Sequence, residues 1–136
     1  MTDVLLVEDH DADVLLVREA VASFEQKVRL HVVRDGLAAL WFLRRQGDYA
    51  RCPSVQLVLL DSSMPRMNAC EVLRELRTDE ATRDVPVVVF SSSARPRDVH
   101  ACTEAGANGY VVKPVDLASF MDVVQGLLKD WLRASR

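Results

Sequence analysis

The chain predicts an α/β fold: a doubly wound parallel sheet of five strands with helices on both faces. Five short apolar runs recur along its 136 residues, stretches of helical periodicity separate them, and glycines fall at the joints. The runs are Val4 to Val7, Val28 to Val33, Val55 to Leu60, Val85 to Phe90 and Tyr110 to Val112. Four are nearly continuous and β-branched, the pattern of strands buried on both faces. The second alternates, with Val28, Leu30 and Val32 opposite Arg29 and His31, and so predicts an edge strand. Between the runs the period becomes helical. Val14, Val17, Val21 and Phe24 form one stripe, and Leu37, Leu40 and Trp41 begin a second. Ala69, Val72, Leu73 and Leu76 form the third. The fourth helix, from about Arg97 to Ala105, is short and weakly apolar. The last follows Pro114 and carries Leu117, Phe120, Val124, Leu127, Leu128 and Trp131. Gly36, Gly47, Gly106 and Gly109 stand where tight or left-handed backbone is expected. Gly126 falls inside the last helix, at a cost of about 1 kcal/mol relative to Ala. No repeat or linker interrupts the pattern, so residues 1–136 read as a single domain.

Composition narrows the classes of function. The chain is 49% hydrophobic and 27% charged, which is globular rather than disordered. Its net charge is −3 and its 17 basic residues are dispersed, so the footprint of a nucleic-acid binder is missing. No apolar run reaches the ~20 residues of a membrane span. The opening Met1-Thr2-Asp3 is not a signal peptide, and a cytoplasmic location is expected. Cys52, Cys70 and Cys102 lack metal-ligand spacing and read as reduced, mostly buried thiols, with Cys52 in a polar loop the reactive exception if there is one.

In doubly wound sheets ligands gather at the carboxyl ends of the strands. Those ends here are Glu8-Asp9, Asp61, Ser91-Ser92-Ser93 and Lys113-Pro114. Each has an ordinary explanation by itself. Glu8-Asp9 could be a solvated strand end leading to a helix start, Asp61 a turn residue, Lys113 a surface lysine. Their joint occurrence at four strand ends outweighs those explanations. Carboxylates brought to one rim repel unless a cation neutralises them, and Mg²⁺ suits such an oxygen-rich site. A lysine on the same rim offers a point charge for a phosphoryl oxygen, and a serine hydroxyl can donate to another.

The segments LLVED at 5–9, LVLLDSSMPRMN at 57–68, PVVVFSS at 86–92 and GANGYVVKP at 106–114 resemble the response-regulator receiver domains of two-component signalling. The resemblance covers essentially the whole chain. EDHDAD, DGLAALWFLRRQG and LLKDWL are similar, more narrowly, to phytochrome-associated stand-alone response regulators. The resemblance implies a flavodoxin-like strand order 2-1-3-4-5 and a receiver domain with no effector domain. It makes Asp61 the phosphoacceptor. Asp9 and Asp61 would hold Mg²⁺ directly, Glu8 through water, and Ser63 through its backbone carbonyl. Lys113 and Ser91 would contact the phosphoryl group, Ser91 and Tyr110 would act as the switch, and Ser63 and Ser93 would tune dephosphorylation. The implied partner is a sensor histidine kinase, of phytochrome type on the narrower resemblance, together with a downstream protein reached by contact. Two positions depart from the family pattern: Ala69 stands where glycine is usual, and Ser92 replaces a small alanine.

Rival functions fit less well. A phosphohydrolase on such a sheet needs a further acid or base near Asp61 and a covering insertion, and Ser62 and Ser63 supply neither. A pseudo-receiver would have no need of the complete set of chemical groups. Neither a Walker A motif nor G-x-G-x-x-G occurs, which removes nucleotide-binding readings. Two structural expectations accompany this reading. The Lys113-Pro114 bond is expected to be cis, to turn the chain sharply. A homodimer is expected on the last helix and fifth strand, through Met121, Leu128, Trp131 and Leu132.

Overall fold

The structure, a computed structural model, describes residues 2–45, 54–62, 64 and 66–134, with residues 133 and 134 described by backbone alone. The chain runs β1 (Thr2–Val7), α1 (Asp11–Ala22), β2 (Val28–Val33), α2 (Gly36–Arg44), β3 (Leu57–Asp61), α3 (Ala69–Thr78), β4 (Val87–Ser91), α4 (Pro96–Ala105), β5 (Gly109–Val112) and α5 (Leu117–Ala134). All strands are parallel, in the order β2-β1-β3-β4-β5.

The two-residue period of the strands divides the interior into two cores. Leu5, Val7, Val58, Leu60, Val87 and Val89 point to the face covered by α2, α3 and α4. Val4, Leu6, Leu57, Leu59, Val88 and Phe90 point to the face covered by α1 and α5. The α3 stripe is as the sequence predicts, with Ala69, Val72, Leu73 and Leu76 all buried. On α4 only Cys102 and Ala105 are buried, in keeping with its weak apolar pattern.

Capping chemistry sets where the helices begin and end. The Asp35 carboxylate accepts the Ala38 N–H at 2.8 Å to open α2. Asn68 and Glu71 form a reciprocal capping box at α3. Ala69 is therefore the first residue of a helix and carries no strain; the left-handed residue of this loop is Arg66, at φ 72°. Gly106 ends α4 at φ 113°, a conformation open to glycine. Gly36 is required for a different reason: a Cβ there would lie 2.6 Å from the Met67 carbonyl oxygen and 2.7 Å from Val72. Gly109 needs no such freedom, because a Cβ would find only ordinary contacts at 3.5 Å. Gly126 faces open space, so its cost is helix propensity alone. Gly47 and Cys52 lie outside the described residues.

A half-buried arginine ties three segments together at the end of the sheet away from the acidic rim. Arg77 donates to the Gly106 carbonyl (3.0 Å), to the Arg83 and Val85 carbonyls (3.0 and 2.8 Å) and to the Asn108 side chain (2.8 Å). The same Asn108 oxygen accepts from the Val87 N–H at 2.8 Å. Desolvation pulls the guanidinium pKa below its usual value, with the charge of Asp84 opposing.

Several expectations are corrected. β5 is the second edge strand, only partly buried, with Val112 exposed, because its outer side has no strand to pair with. Trp41 points outward; Ala39, Leu40 and Phe42 form the buried side of α2, with Ala38 and Leu43 packed half-buried against the same core. Phe24 lies beyond the end of α1, half-buried against the same core as its helix. The proposed dimer face changes most. Leu128 is fully buried and Leu132 nearly so, because α5 packs on the sheet and on α1 together and needs a wider stripe. Gln125 marks that second contact by donating to the Ala20 carbonyl at 3.0 Å. Met121 and Trp131 are half-buried in the same core, whereas Leu117, expected to face the sheet, is exposed. The Lys113-Pro114 bond is trans, as is every peptide bond among the described residues. The segment from Lys113 to Asp116 supplies enough backbone to reach α5 without a cis turn.

Candidate functional site

The ends of β1, β3, β4 and β5 converge on one rim. Glu8 follows β1, and its backbone N–H donates to the Val33 carbonyl at 3.0 Å, which carries the β1–β2 pairing one residue further. That anchoring leaves the Glu8 side chain inside, only 1% exposed, while Asp9 turns out to solvent. One Glu8 oxygen accepts the His10 N–H at 3.1 Å. Asp61 closes β3 and is 8% exposed. Glu8, Asp9 and Asp61 each bring a carboxylate oxygen within 4.8 Å of the others, a donor set of the kind a hard divalent cation takes. The sequence placed these three together, and the structure does the same. Ser63, the remaining expected ligand, lies outside the described residues.

Lys113 completes the rim from the end of β5. Its backbone N–H donates to the Ser91 carbonyl at 2.7 Å, which fixes where the side chain starts. Its ammonium donates to Glu8 at 2.8 Å, to Asp13 at 2.8 Å and to Asp61 at 3.2 Å, and lies 5.7 Å from the centre of the Phe90 ring. All three N–H donors are therefore used.

Burial and charge oppose one another here. Desolvation raises the Glu8 pKa above the ordinary carboxyl value, partly offset by its hydrogen bond to Lys113. Desolvation raises that of Asp61 likewise, against the Lys113 charge and with help from Asp9. For Lys113 desolvation acts downward, but its bonds to Asp13 and Glu8 and the charge of Asp61 outweigh it and hold the pKa above the usual lysine value. The site holds more negative charge than one lysine can neutralise.

The hydroxyl side of the rim comes from β4. Ser91 is fully buried; its Oγ lies 2.6 Å from that of Ser62 and accepts the Ser93 N–H at 3.0 Å. The Ser93 hydroxyl donates to Asp98 on α4, and the Ser93 carbonyl accepts the Tyr110 hydroxyl at 2.8 Å. Ser91, Ser93 and Tyr110 are thus linked through one short loop. Beside it a cavity of about 370 Å³ opens between α3 and α4, with Ser62, Ser92, Cys70 and Cys102 on its walls. Ser92 is exposed at its mouth. Burial pushes the Cys102 thiol up to about 12, with the neighbouring Cys70 adding to it. That suits an unreactive thiol.

Sequence reasoning missed two members of this arrangement. Asp13 reads as an acid in the first turn of α1, and only the fold reveals its bond to Lys113, 100 residues away. Ser62 reads as a turn residue, and only β4 gives it a hydroxyl partner.

Comparison with known proteins agrees with this geometry. The sequence pattern of the family described as response regulator receiver domain matches residues 4–125. Response regulator Rcp1 of Synechocystis sp. is 39% identical over 129 residues, 95% of this chain and 88% of that protein. The Mn²⁺-bound crystal structure of Rcp1 superposes with a TM-score of 0.90 at 38% identity, covering 97% of this chain and 95% of that one. The phosphorylated cyanobacterial phytochrome response regulator RcpA gives a TM-score of 0.92 at 34% identity, over 96% of this chain and 94% of its own. A receiver domain of the sensor histidine kinase PA1611 from Pseudomonas aeruginosa, with Mg²⁺ in its active-site cleft, gives 0.74 at 27% identity over 96% of both chains. This chain belongs to the response regulator receiver domain family.

Proposed function

We propose that the chain is a phosphoacceptor signalling protein rather than an enzyme with a separate substrate. It accepts a phosphoryl group on Asp61 from a sensor histidine kinase and signals by protein contacts. One observation carries this reading: a buried carboxylate, Asp61, lies 3.2 Å from a buried ammonium, beside Glu8 and Asp9 and on the same rim as the Ser62–Ser91 hydroxyl pair. Similarity to RcpA, a phytochrome response regulator, supports a kinase of phytochrome type.

The chemistry asked of the residues is small. An Asp61 oxygen attacks the phosphorus of a phosphohistidine in line; the O–P bond forms as the P–N bond breaks, and the imidazole nitrogen leaves with the electron pair. The Lys113 N–H now directed at Asp61 turns to a phosphoryl oxygen. Asp9 and Asp61, with Glu8 through water, fit Mg²⁺ by their oxygen chemistry and mutual distances. Bound there, Mg²⁺ supplies positive charge to the phosphoryl oxygens. Ser91 moves to donate to the phosphoryl group, and the loop bearing Ser93 carries the Tyr110 anchor with it. In this reading Ser93 and Ser63 flank the attacking water in dephosphorylation.

Exposure to a small phosphodonor with Mg²⁺ is expected to add one phosphoryl group by intact mass to the wild type and none to Asp61→Asn. Equal labelling of both would refute the assignment. Self-association belongs to the same reading, seated on exposed Val112 and Leu117 with half-buried Met121 and Trp131. Sedimentation at micromolar concentration should show a dimer that Leu117→Glu weakens; a monomer throughout, phosphorylated or not, would remove it.

A further inference from the structure

We propose that Asp13 is a positioning residue for phosphoryl transfer, orienting the Lys113 ammonium so that one N–H faces the phosphoacceptor. The proposal rests on the reading of Asp61 given above.

The argument begins with the geometry of an ammonium. Its three N–H bonds diverge tetrahedrally, so fixing two of them fixes the direction of the third. In this site two are held at 2.8 Å, by Glu8 and by Asp13, and the third reaches Asp61 at 3.2 Å. The lysine stem has four carbons and several rotatable bonds, and without anchors the charge would wander about the rim. Glu8 alone is a poor anchor, because it belongs to the acidic set that turns toward a cation. Asp13 does not belong to that set. It stands in the first turn of α1, on a different element from any of those acids, and is 21% exposed at the side chain. It can keep hold of Lys113 while Glu8, Asp9 and Asp61 are engaged elsewhere.

The position of Asp13 is itself well defined. Val14, the next residue, is buried in the core shared by α1 and α5, and its N–H donates to the His10 carbonyl at 3.1 Å in the opening turn of the helix. The other ring nearby is that of His10, whose Nδ1 lies 3.7 Å from the second Asp13 oxygen, on the solvent side. The oxygen facing inward is left for Lys113. When Asp61 acquires a phosphoryl group, the N–H held by Asp13 stays in place and keeps the ammonium at the rim, where another N–H meets a phosphoryl oxygen without a search.

The experiment compares initial rates of phosphorylation by a small phosphodonor with Mg²⁺ for wild type, Asp13→Ala, Asp13→Asn, Lys113→Ala and the double variant Asp13→Ala with Lys113→Ala. The expected loss for Asp13→Ala is about tenfold, equivalent to about 1.4 kcal/mol in the barrier. Asp13→Asn, which retains an acceptor oxygen without the charge, should fall between. In the Lys113→Ala background Asp13→Ala should change nothing further, because its effect passes through the lysine. His10→Ala should match wild type. A role confined to stabilising the helix start would lower the melting temperature but leave these rates alone. Full activity of Asp13→Ala while wild type is labelled and Asp61→Asn is not would overturn this proposal and leave the Asp61 reading standing. So would an equal slowing in both lysine backgrounds. Absence of labelling in the wild type would overturn the Asp61 reading and the proposal with it.

Discussion

Lys113→Ala is expected to destabilise the metal-free protein at neutral pH by about 3–5 kcal/mol, the range for removing one partner of a buried ion pair. The side chains concerned are well enclosed: Lys113 is 10% exposed, Glu8 2% and Asp61 10%. Without the ammonium, three carboxylates, two of them buried, bring oxygens within 4.8 Å of one another with no neutralising charge beside them. Already in the wild type, desolvation holds the Glu8 and Asp61 pKa values above their ordinary ones. A carboxyl shifted that way favours the fold below the ordinary carboxyl range, and the benefit is lost as pH rises through the raised value. Lys113 is also shifted upward, so its contribution is complete below the ordinary lysine range and is lost only in strong alkali. Across the mildly acidic to neutral window the two carboxyls therefore set the slope. Metal-free wild type should lose some stability over that window, and Lys113→Ala should lose much more. Acidification or Mg²⁺ should restore the variant more than it helps the wild type. Urea unfolding at several pH values, with chelator and with Mg²⁺, measures this. Parallel pH profiles for the two proteins would show that the lysine is not what holds the carboxylates together.

Arg77→Met is expected to cost about 2–4 kcal/mol while leaving phosphoryl labelling intact at low temperature. Removing the guanidinium strands the Gly106, Arg83 and Val85 carbonyls and deprives Asn108 of a donor. A buried acceptor left unsatisfied costs about 1–3 kcal/mol, and water can reach the more exposed of these. Methionine keeps most of the stem volume, so the loss measures the hydrogen bonds more than a cavity. Arg77→Lys should recover little, because a point charge cannot span three carbonyls as a planar fork does. The readout is the denaturation midpoint with an unchanged urea slope. Wild-type stability in Arg77→Met would mean that these segments are held by their strand pairing alone.

Particular residues show where sequence was informative. Asp61 was legible because it ends a continuous apolar run, and such a run admits a charge only where it leaves the core. Ala69, Val72, Leu73 and Leu76 were legible because the regular helical spacing of their stripe fits one face alone. The chain's family resemblance added roles for Ser91, Lys113 and Tyr110, and the fold brings all three to the rim with Asp61. Leu128, Leu132 and Trp41 were misread for a common reason. Periodicity says that a helix has an apolar face but not how wide a surface awaits it. On α5 that surface includes α1 as well as the sheet, so Leu128 and Leu132 go inside. On α2 the covering is narrower, and Trp41 stays out.

The order of strands and helices, the two-sided burial of the central strands and the identity of the residues at the strand ends were determined by the sequence alone. They follow from local periodicity and from the short reach of a strand. Which carboxylate Lys113 touches, which hydroxyl answers Ser91, and which side of α5 is covered were decided only by the tertiary structure. Lys113 meets Asp13 across 100 residues and Ser91 meets Ser62 across 29. Nothing in the spacing of such pairs carries a signal, because their approach is produced by crossover connections that lay β5 two strands away from β3 and seat α1 beside the end of β1.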